Sequence, residues 1–173
     1  MDCVESRGNG RIICYDPKTD KTKTIIRNLK FANGVCVTKD SQSILFAETF
    51  GMKVSRYWFE GPKKGTTEVI MDNIPGYPDN INRASDGNYW LALVGMRGPA
   101  LDLALTLPDF RKRMSRRINT SNWLFPNINT GCVLKITEKG EVLETLWDLK
   151  ARNHPMVTSM REHKGHLYLG GIQ

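Results

Sequence analysis

The chain has 173 residues with a formal net charge of +7, and about 40% of its residues are hydrophobic and 25% charged. This composition is typical of one globular domain, and no apolar run is long enough to cross a bilayer. The first ten residues, MDCVESRGNG, contain neither the apolar core nor the small-residue cleavage site of a secretory signal.

Strand signals dominate the first half of the chain. The segment GRIICYDPKTDKTKTIIRNL predicts two strands joined by an Asp-Pro-Lys-Thr turn. The next segment, NGVCVTKDSQSILFAE, begins at Asn33 and predicts a hairpin, because apolar alternation leads into a turn at Asp40-Ser41 and then into an apolar run. KVSRYWFEG and TTEVIMDNIPG predict two more strands joined by GPKKG. We therefore expect a series of short antiparallel strands.

The pattern that begins at Asn33 occurs three times. The second copy, DNINRASDGNYWLAL, begins 46 residues later at Asp79, and the third, MVTSMREHKGHLYLGG, begins at Met156. The third copy is preceded by GCVLKITEKGEVLETLWDL, which predicts a hairpin around Lys139-Gly140. A spacing of about 46 residues is expected for propeller blades of four strands. The sequence therefore predicts an all-β fold of about three to three and a half blades.

Such a chain is too short to close a propeller, which usually needs at least four blades to remove its sheet edges. We therefore expect it to be a truncated portion of a larger propeller. Its edges would then be covered by the missing blades or by a second chain.

A basic segment interrupts the strand pattern between residues 97 and 118. Six arginines and lysines alternate there with leucines, Phe110 and Met114, which predicts one or two short helices split by Pro108. The simplest interpretation is a solvated face packed on the sheet. Alternatively, the segment lies on an anionic membrane surface or closes over a pocket. The segment lacks the interleaved aromatic residues of a single-strand nucleic-acid platform, so no nucleic-acid partner is expected.

The four cysteines are too widely scattered for a thiolate metal cluster. Cys3, Cys14, Cys36 and Cys132 form no Cys-x-x-Cys pair. Cys14 and Cys36 fall in predicted strands, so we expect buried free thiols. A disulfide is the alternative if the mature protein is extracytoplasmic.

Several ordered motifs resemble one known family over nearly the whole chain. They are Asn-Gly-Val, Arg-Tyr-Trp, Gly-Pro-Lys, Pro-Gly-x-Pro-Asp-Asn-Ile and Glu-His-x-Gly-x-Leu-Tyr-Leu-Gly. In this order they resemble the C-terminal half of strictosidine synthase-like proteins, a family that includes the adipocyte plasma membrane-associated proteins. The resemblance implies a six-bladed β-propeller related to paraoxonases, gluconolactonases and diisopropylfluorophosphatase, with a calcium ion in the central channel.

Polar residues at the heads of inner strands are the candidate metal site. Inner strands of successive blades all face the channel, so an amide and a carboxylate one blade apart can meet on one ion, and calcium prefers such oxygen ligands. Asn33 and Asp79 form such a pair. The resemblance implies the same two ligands, adds Asn80 as the adjacent amide, and implies that Asp79 acts as nucleophile or base. The alternative is that these residues only form turns and hold strand ends.

One difference from the family concerns its named activity. Strictosidine synthases use a glutamate four residues before the Glu-His motif, and this chain has Thr158 at that place. A threonine hydroxyl is not a general base near neutral pH, so strictosidine synthesis is not expected. Glu162 and His163 are predicted to lie at a hairpin turn in a solvated role.

Two functions are consistent with these residues. The first is a calcium-dependent hydrolase of small-molecule esters or lactones, similar to arylesterases and lactonases, in the complete propeller. The second is a non-catalytic propeller that serves as a binding or membrane-associated scaffold. The resemblance further suggests that the complete form is extracytoplasmic or membrane-anchored.

Overall fold

The structure, a computed structural model, describes residues 7–117, 119, 130–150 and 154–172. The described residues contain twelve β-strands, a short 3-10 helix (Thr49–Gly51) and two α-helices. The strands are β1 (Gly10–Asp16), β2 (Lys21–Leu29), β3 (Ala32–Val37), β4 (Ser43–Glu48), β5 (Lys53–Trp58), β6 (Thr67–Met71), β7 (Gly76–Arg83), β8 (Tyr89–Met96), β9 (Gly131–Ile136), β10 (Val142–Asp148), β11 (Val157–His163) and β12 (His166–Gly171). The helices are α1 (Pro99–Thr106) and α2 (Pro108–Arg117).

The strands form two complete four-stranded sheets and two hairpins. Strands β3 to β6 form one antiparallel meander and β7 to β10 form the next, in sequence order. Each meander has the strand arrangement of a propeller blade. The hairpin β1–β2 precedes the first blade, and the hairpin β11–β12 follows the second. The predicted all-β partial propeller is therefore confirmed.

The repeated sequence pattern produces the same turn in both blades. In the first blade the Asp40 carboxylate accepts a hydrogen bond from the Gln42 backbone N–H at 3.0 Å. In the second blade the Asp86 carboxylate accepts one from the Asn88 backbone N–H, also at 3.0 Å. An aspartate that binds the backbone two residues onward closes a tight turn between two strands. These are the turns that the sequence predicted.

The main core lies between the two blades. Side chains of β4 and β5 pack there against side chains of β7, β8 and β9, and the cluster includes Leu45, Ala47, Val54, Ile74, Ile81, Tyr89, Leu91, Leu93, Cys132, Leu134 and Ile136. A polar link crosses the same interface, because the Arg56 guanidinium donates to the Glu138 carboxylate at 2.7 Å. The Tyr89 hydroxyl also donates to Glu138, at 3.2 Å. The two blades therefore form one packed unit.

The predicted helical insertion is present between β8 and β9. Helices α1 and α2 are separated at Leu107, directly before Pro108, as expected for a residue that lacks a backbone N–H. The Arg97 Nε atom lies 3.1 Å from the Asp102 carboxylate in the first turn of α1, which ties this helix to the end of β8. Among the described residues, no helix combines the length and the apolar character needed to cross a membrane.

The prediction that Cys14 is buried is wrong. Cys14 is exposed, Cys36 is half-buried and Cys132 is buried, and all three are free thiols. The hairpin β1–β2 pairs with no further strand in the described residues and contacts the first blade mainly through a cluster around Ile12 and Leu29. The rest of β1, including Cys14, is therefore accessible to solvent. Cys3 lies outside the described residues.

Candidate functional site

The inner strands are β3, β7 and β11, which begin the two blades and the last hairpin. Each of them contains a bulge close to its first residue. The register of pairing shifts between Ala32 and Val35 in β3, between Pro78 and Ile81 in β7, and between Val157 and Ser159 in β11. A bulge adds one unpaired residue and redirects the side chains around it. The redirected segments contain Asn33, Asp79, Asn80 and Thr158. Strand β7 contacts both β3 and β11, so the three bulges lie side by side.

Gly34 allows β3 and β7 to approach backbone to backbone. A Cβ atom at Gly34 would lie 2.5 Å from the Ile81 nitrogen and 2.6 Å from the Asp79 carbonyl oxygen. Real Cβ atoms essentially never come this close to the backbone, so only glycine fits here without a shift of a strand. The Asn-Gly pair therefore places Asn33 beside Asp79.

Thr49 connects the head of β3 to the head of β7. Its hydroxyl donates a hydrogen bond to the Pro78 carbonyl oxygen at 2.8 Å. The same hydroxyl accepts a hydrogen bond from the Asn33 Nδ2 atom at 3.2 Å. Thr49 is buried, so this link is shielded from water. It fixes the Asn33 amide at the edge of the site.

Asp79 is the carboxylate at the centre of this cluster. It is half-buried, and burial raises the pKa of its carboxyl group, because the charged form is poorly hydrated there. A hydrogen bond from the Asn33 side chain acts in the opposite direction and lowers the pKa. The Asn80 Nδ2 atom lies 3.1 Å from the Asp79 Oδ1 atom. The carboxylate therefore lies between two amide side chains.

Asparagines on β7 bind the backbone of β11. The Asn80 Nδ2 atom donates to the Thr158 carbonyl oxygen at 2.9 Å, and the Asn82 Nδ2 atom donates to the Met160 carbonyl oxygen at the same distance. The Thr158 hydroxyl donates to the Gly170 carbonyl oxygen at 3.3 Å. The Thr158 hydroxyl therefore links β11 to β12 within the last hairpin.

The structure thus brings together Asn33, Asp79 and Asn80, the three predicted ligands. Their carboxylate and amide oxygens are the donor types that calcium takes, so the residues fit part of such a site. Within the described residues no group of three or more His, Cys, Asp or Glu side chains is placed to hold a metal ion. Amide oxygens would therefore have to supply much of the ligand set, and metal binding remains a prediction.

Tyr77 is a neighbour of this site that sequence reasoning missed. It lies two residues before Asp79, is fully buried, and its hydroxyl has no hydrogen-bond partner among the described residues. Burial, reinforced by the nearby Asp102 carboxylate, raises the pKa of Tyr77 to about 12. The Phe50 ring lies edge-on to the Tyr77 ring, with 6.1 Å between the ring centroids. A phenol that keeps its proton near neutral pH is a hydrogen-bond donor.

Glu162 is not in the turn itself, in contrast to the prediction, and its side chain is partly exposed to solvent. It lies within β11 and accepts hydrogen bonds from the Trp90 Nε1 atom at 2.9 Å and from the Ser85 hydroxyl. These bonds lower the pKa of the Glu162 carboxyl group, the Ser85 contribution being the larger. The alternation of β11 indicates this orientation, since Glu162 shares a strand face with the buried Met160. His163 is also in β11, and is exposed.

Comparison with known proteins relates this chain to a family. A family model described as strictosidine synthase matches residues 1–62. Protein strictosidine synthase-like 10 of Arabidopsis thaliana is 35% identical over 168 residues, which cover 94% of this chain and 44% of the relative. The adipocyte plasma membrane-associated protein of Salmo salar is 31% identical over 174 residues, which cover 98% of this chain and 42% of the relative.

Solved structures support the propeller fold. A luciferin-regenerating enzyme matches with a TM-score of 0.62 at 17% identity, over 95% of this chain and 44% of that chain. Regucalcin from Agrobacterium tumefaciens, described as a calcium-binding protein, matches with a TM-score of 0.51 at 15% identity, over 80% of this chain and 37% of that chain. At these identities the likeness shows the fold alone. The chain spans less than half the length of the relatives it matches, and it belongs to the strictosidine synthase-like family.

Proposed function

We propose that, in the complete propeller, this chain provides part of the active site of a calcium-dependent hydrolase of small esters or lactones. Asn33, Asp79 and Asn80 would hold the metal. The observation that carries the proposal is the half-buried Asp79 carboxylate between two amides, at the point where three inner-strand bulges meet.

The chemistry follows from the environment of Asp79. A bound calcium ion would supply a positive charge that polarises the carbonyl oxygen of an ester or lactone. Without a metal ion, burial raises the pKa of Asp79, and a bound calcium ion would favour its ionised form, which is the form that acts as nucleophile or base. Asn33 holds the carboxylate from the β3 side, and Asn80 is oriented by its bond to the Thr158 carbonyl oxygen.

The relatives support a part of this proposal. The regucalcin match is described as calcium-binding, so a related fold accommodates this ion. The family name refers to strictosidine synthesis, but Thr158 stands where the resemblance implies a catalytic glutamate. We therefore propose hydrolysis for this chain in preference to that condensation.

Thermal unfolding with excess calcium and with a chelator tests the metal site. A ligand that binds only the native state raises its stability, so we expect a higher Tm in calcium for the unmodified chain. Asp79→Asn should abolish this shift. Asp72→Asn, which changes an exposed aspartate that precedes the same strand, should retain it. No calcium shift in the unmodified chain would contradict metal binding by this chain.

Activity is tested separately, on the longest form of the protein that contains these residues. Arylesterase and lactonase substrates should be hydrolysed by the unmodified protein and by Asp72→Asn, and not by Asp79→Asn. Full activity in a folded Asp79→Ala protein would contradict the assigned role.

A second candidate is a non-catalytic scaffold. It is favoured by one observation: the amides of Asn33 and Asn80 already bind Thr49 and the Thr158 backbone, as residues that only hold strands together would. Some relatives carry the name plasma membrane-associated protein, which is compatible with such a role. This candidate predicts the same Tm in calcium and in chelator.

A further inference from the structure

The two helices between β8 and β9 form an arm, residues 97–117, that is held in a defined position. Arg97 fixes its start through the bond to Asp102 in α1 and through a backbone hydrogen bond, 3.0 Å long, to the Pro75 carbonyl oxygen. Arg111 of α2 donates to the Ala104 carbonyl oxygen at 2.9 Å, and so binds the C-terminal end of α1. The arm is therefore tied to the sheet at its start, and its two helices are tied to each other.

One side of α2 is cationic. Lys112, Arg113, Arg116 and Arg117 are spaced so that they share one side of the helix, and all four are exposed. Within the described part of the chain, none of the four forms an ion pair with a carboxylate. Arg111, in contrast, faces α1 and is half-buried. This positive charge therefore serves no interaction in the described fold.

Apolar side chains are exposed on the same arm. Leu103, Leu107 and Phe110 are 62%, 44% and 40% exposed, respectively. Phe110 lies three residues before Arg113 and seven before Arg117, so its side chain borders the cationic side of α2. Cations beside exposed leucine and phenylalanine are the composition of helices that lie in the interface of an anionic membrane.

We propose that this arm is a docking surface for an anionic phospholipid membrane. The four cations bind headgroups, and Leu103, Leu107 and Phe110 enter the boundary between headgroups and acyl chains. None of these residues is a candidate metal ligand, so the proposal does not require the chain to be a hydrolase.

A lipid surface fits these features better than a nucleic acid. A strand of nucleic acid would need aromatic side chains for base stacking, and α2 has one aromatic residue, Phe110, at the edge of the cationic side. The exposed leucines offer nothing to a phosphate backbone. They do provide the apolar area that an interfacial helix buries in a bilayer.

Vesicle co-sedimentation of the 173-residue chain tests the proposal. The probes are vesicles of phosphatidylcholine alone and vesicles that also contain phosphatidylserine, both in chelator, so that calcium cannot bridge protein and lipid. We expect binding to the phosphatidylserine vesicles that weakens with salt, and little binding to phosphatidylcholine alone. Replacement of Lys112, Arg113, Arg116 and Arg117 by glutamine should lower the partition coefficient by about tenfold or more.

The matched control removes the same charge elsewhere. The control variant replaces four exposed cations of the β1–β2 hairpin or its turn by glutamine: Lys18, Lys21, Lys23 and Arg27. This variant should lose much less vesicle binding than the α2 variant. Circular dichroism would check that both variants are folded. A Leu103→Ser, Phe110→Ser variant should bind more weakly while retaining its salt dependence.

Three outcomes would overturn the proposal. They are no preference for phosphatidylserine, equal loss of binding in the α2 and hairpin variants, and tighter binding to a single-stranded oligonucleotide than to the vesicles. The last result would identify the arm as a nucleic-acid surface.

Discussion

The side chain of Asn80 joins two inner strands, because its Nδ2 atom donates a 2.9 Å hydrogen bond to the carbonyl oxygen of Thr158. The same Nδ2 atom lies 3.1 Å from the Asp79 carboxylate. The position of this amide at the candidate site therefore depends on the β11–β12 hairpin. Contacts that hold the hairpin in place also hold the site.

Because the pKa of Asp79 is raised, we expect its charged carboxylate to lower the stability of the folded state when no metal is bound. Burial favours the protonated form, so the ionised carboxylate destabilises the folded state at any pH above its folded pKa. In chelator at pH 7, Asp79→Asn should therefore raise Tm. The gain should vanish as the pH falls below the ordinary aspartate pKa of about 4, where both states are protonated. Thermal melts of both proteins between pH 3 and 7 measure the difference in Tm. A lower Tm of Asp79→Asn at pH 7 would contradict the raised pKa of Asp79.

Gly34→Ala tests the close approach of β3 and β7. The added Cβ would lie 2.5 Å from the Ile81 nitrogen, so one strand has to move. We expect the free energy of unfolding to fall by about 1–3 kcal/mol, the usual cost of overpacking. Denaturant unfolding measures it. Gly98→Ala is the control, because its Cβ would meet no atom within 4 Å, and equal stability of the two variants would argue against the contact.

Glu162→Ala tests the anchor of the C-terminal hairpin. The change leaves the indole N–H of Trp90 and the hydroxyl of Ser85 without their acceptor, so Tm should fall by a few degrees. The pKa of Glu162 is lowered in the folded state, so its stabilising effect is complete above the ordinary glutamate pKa of about 4.3 and is lost as the pH falls through the lowered value. Faster hydrogen exchange in β11 should accompany the change. Glu141→Ala, an exposed site, should behave like the unmodified chain.

Thiol labelling tests the different environments of the cysteines. Cys14 is exposed, whereas burial raises the pKa of Cys132 to about 12, which leaves almost no thiolate at pH 8. In the native chain, Cys14→Ser should therefore remove one rapidly reacting thiol, and Cys132→Ser should remove none. Mass spectrometry after a short iodoacetamide pulse gives the count. Rapid modification of Cys132 in the folded chain would contradict its burial.

The hairpins could be predicted from the sequence because their signals are local. Asp40 and Asp86 each bind the backbone two residues onward, so the turn is set within a few residues of chain. Alternation of apolar residues then determines which side of each strand is buried. The structure places the side chains of Asn33 and Asp79 within hydrogen-bond reach of each other, and their role as metal ligands stays a prediction.

Burial and long-range partners could not be predicted in the same way. Cys14 has the strand pattern of a buried residue, yet β1 is covered by no other sheet in the described residues at that point. Glu162 is polar and close to a turn, and nothing in the local sequence indicates its hydrogen-bond partners. Its partners Ser85 and Trp90 are distant in sequence, and only packing of β11 on the second blade brings them within reach.

The sequence by itself determined the strands, the order of the hairpins and the polar residues at the strand heads, because these depend on the alternation and turn chemistry of short segments. The tertiary structure decided that the bulges of β3, β7 and β11 meet, that Gly34 lets two backbones touch, and that Asn80 is oriented by Thr158. These relationships join residues some 46 and 78 positions apart, and they arise only when neighbouring blades pack on each other.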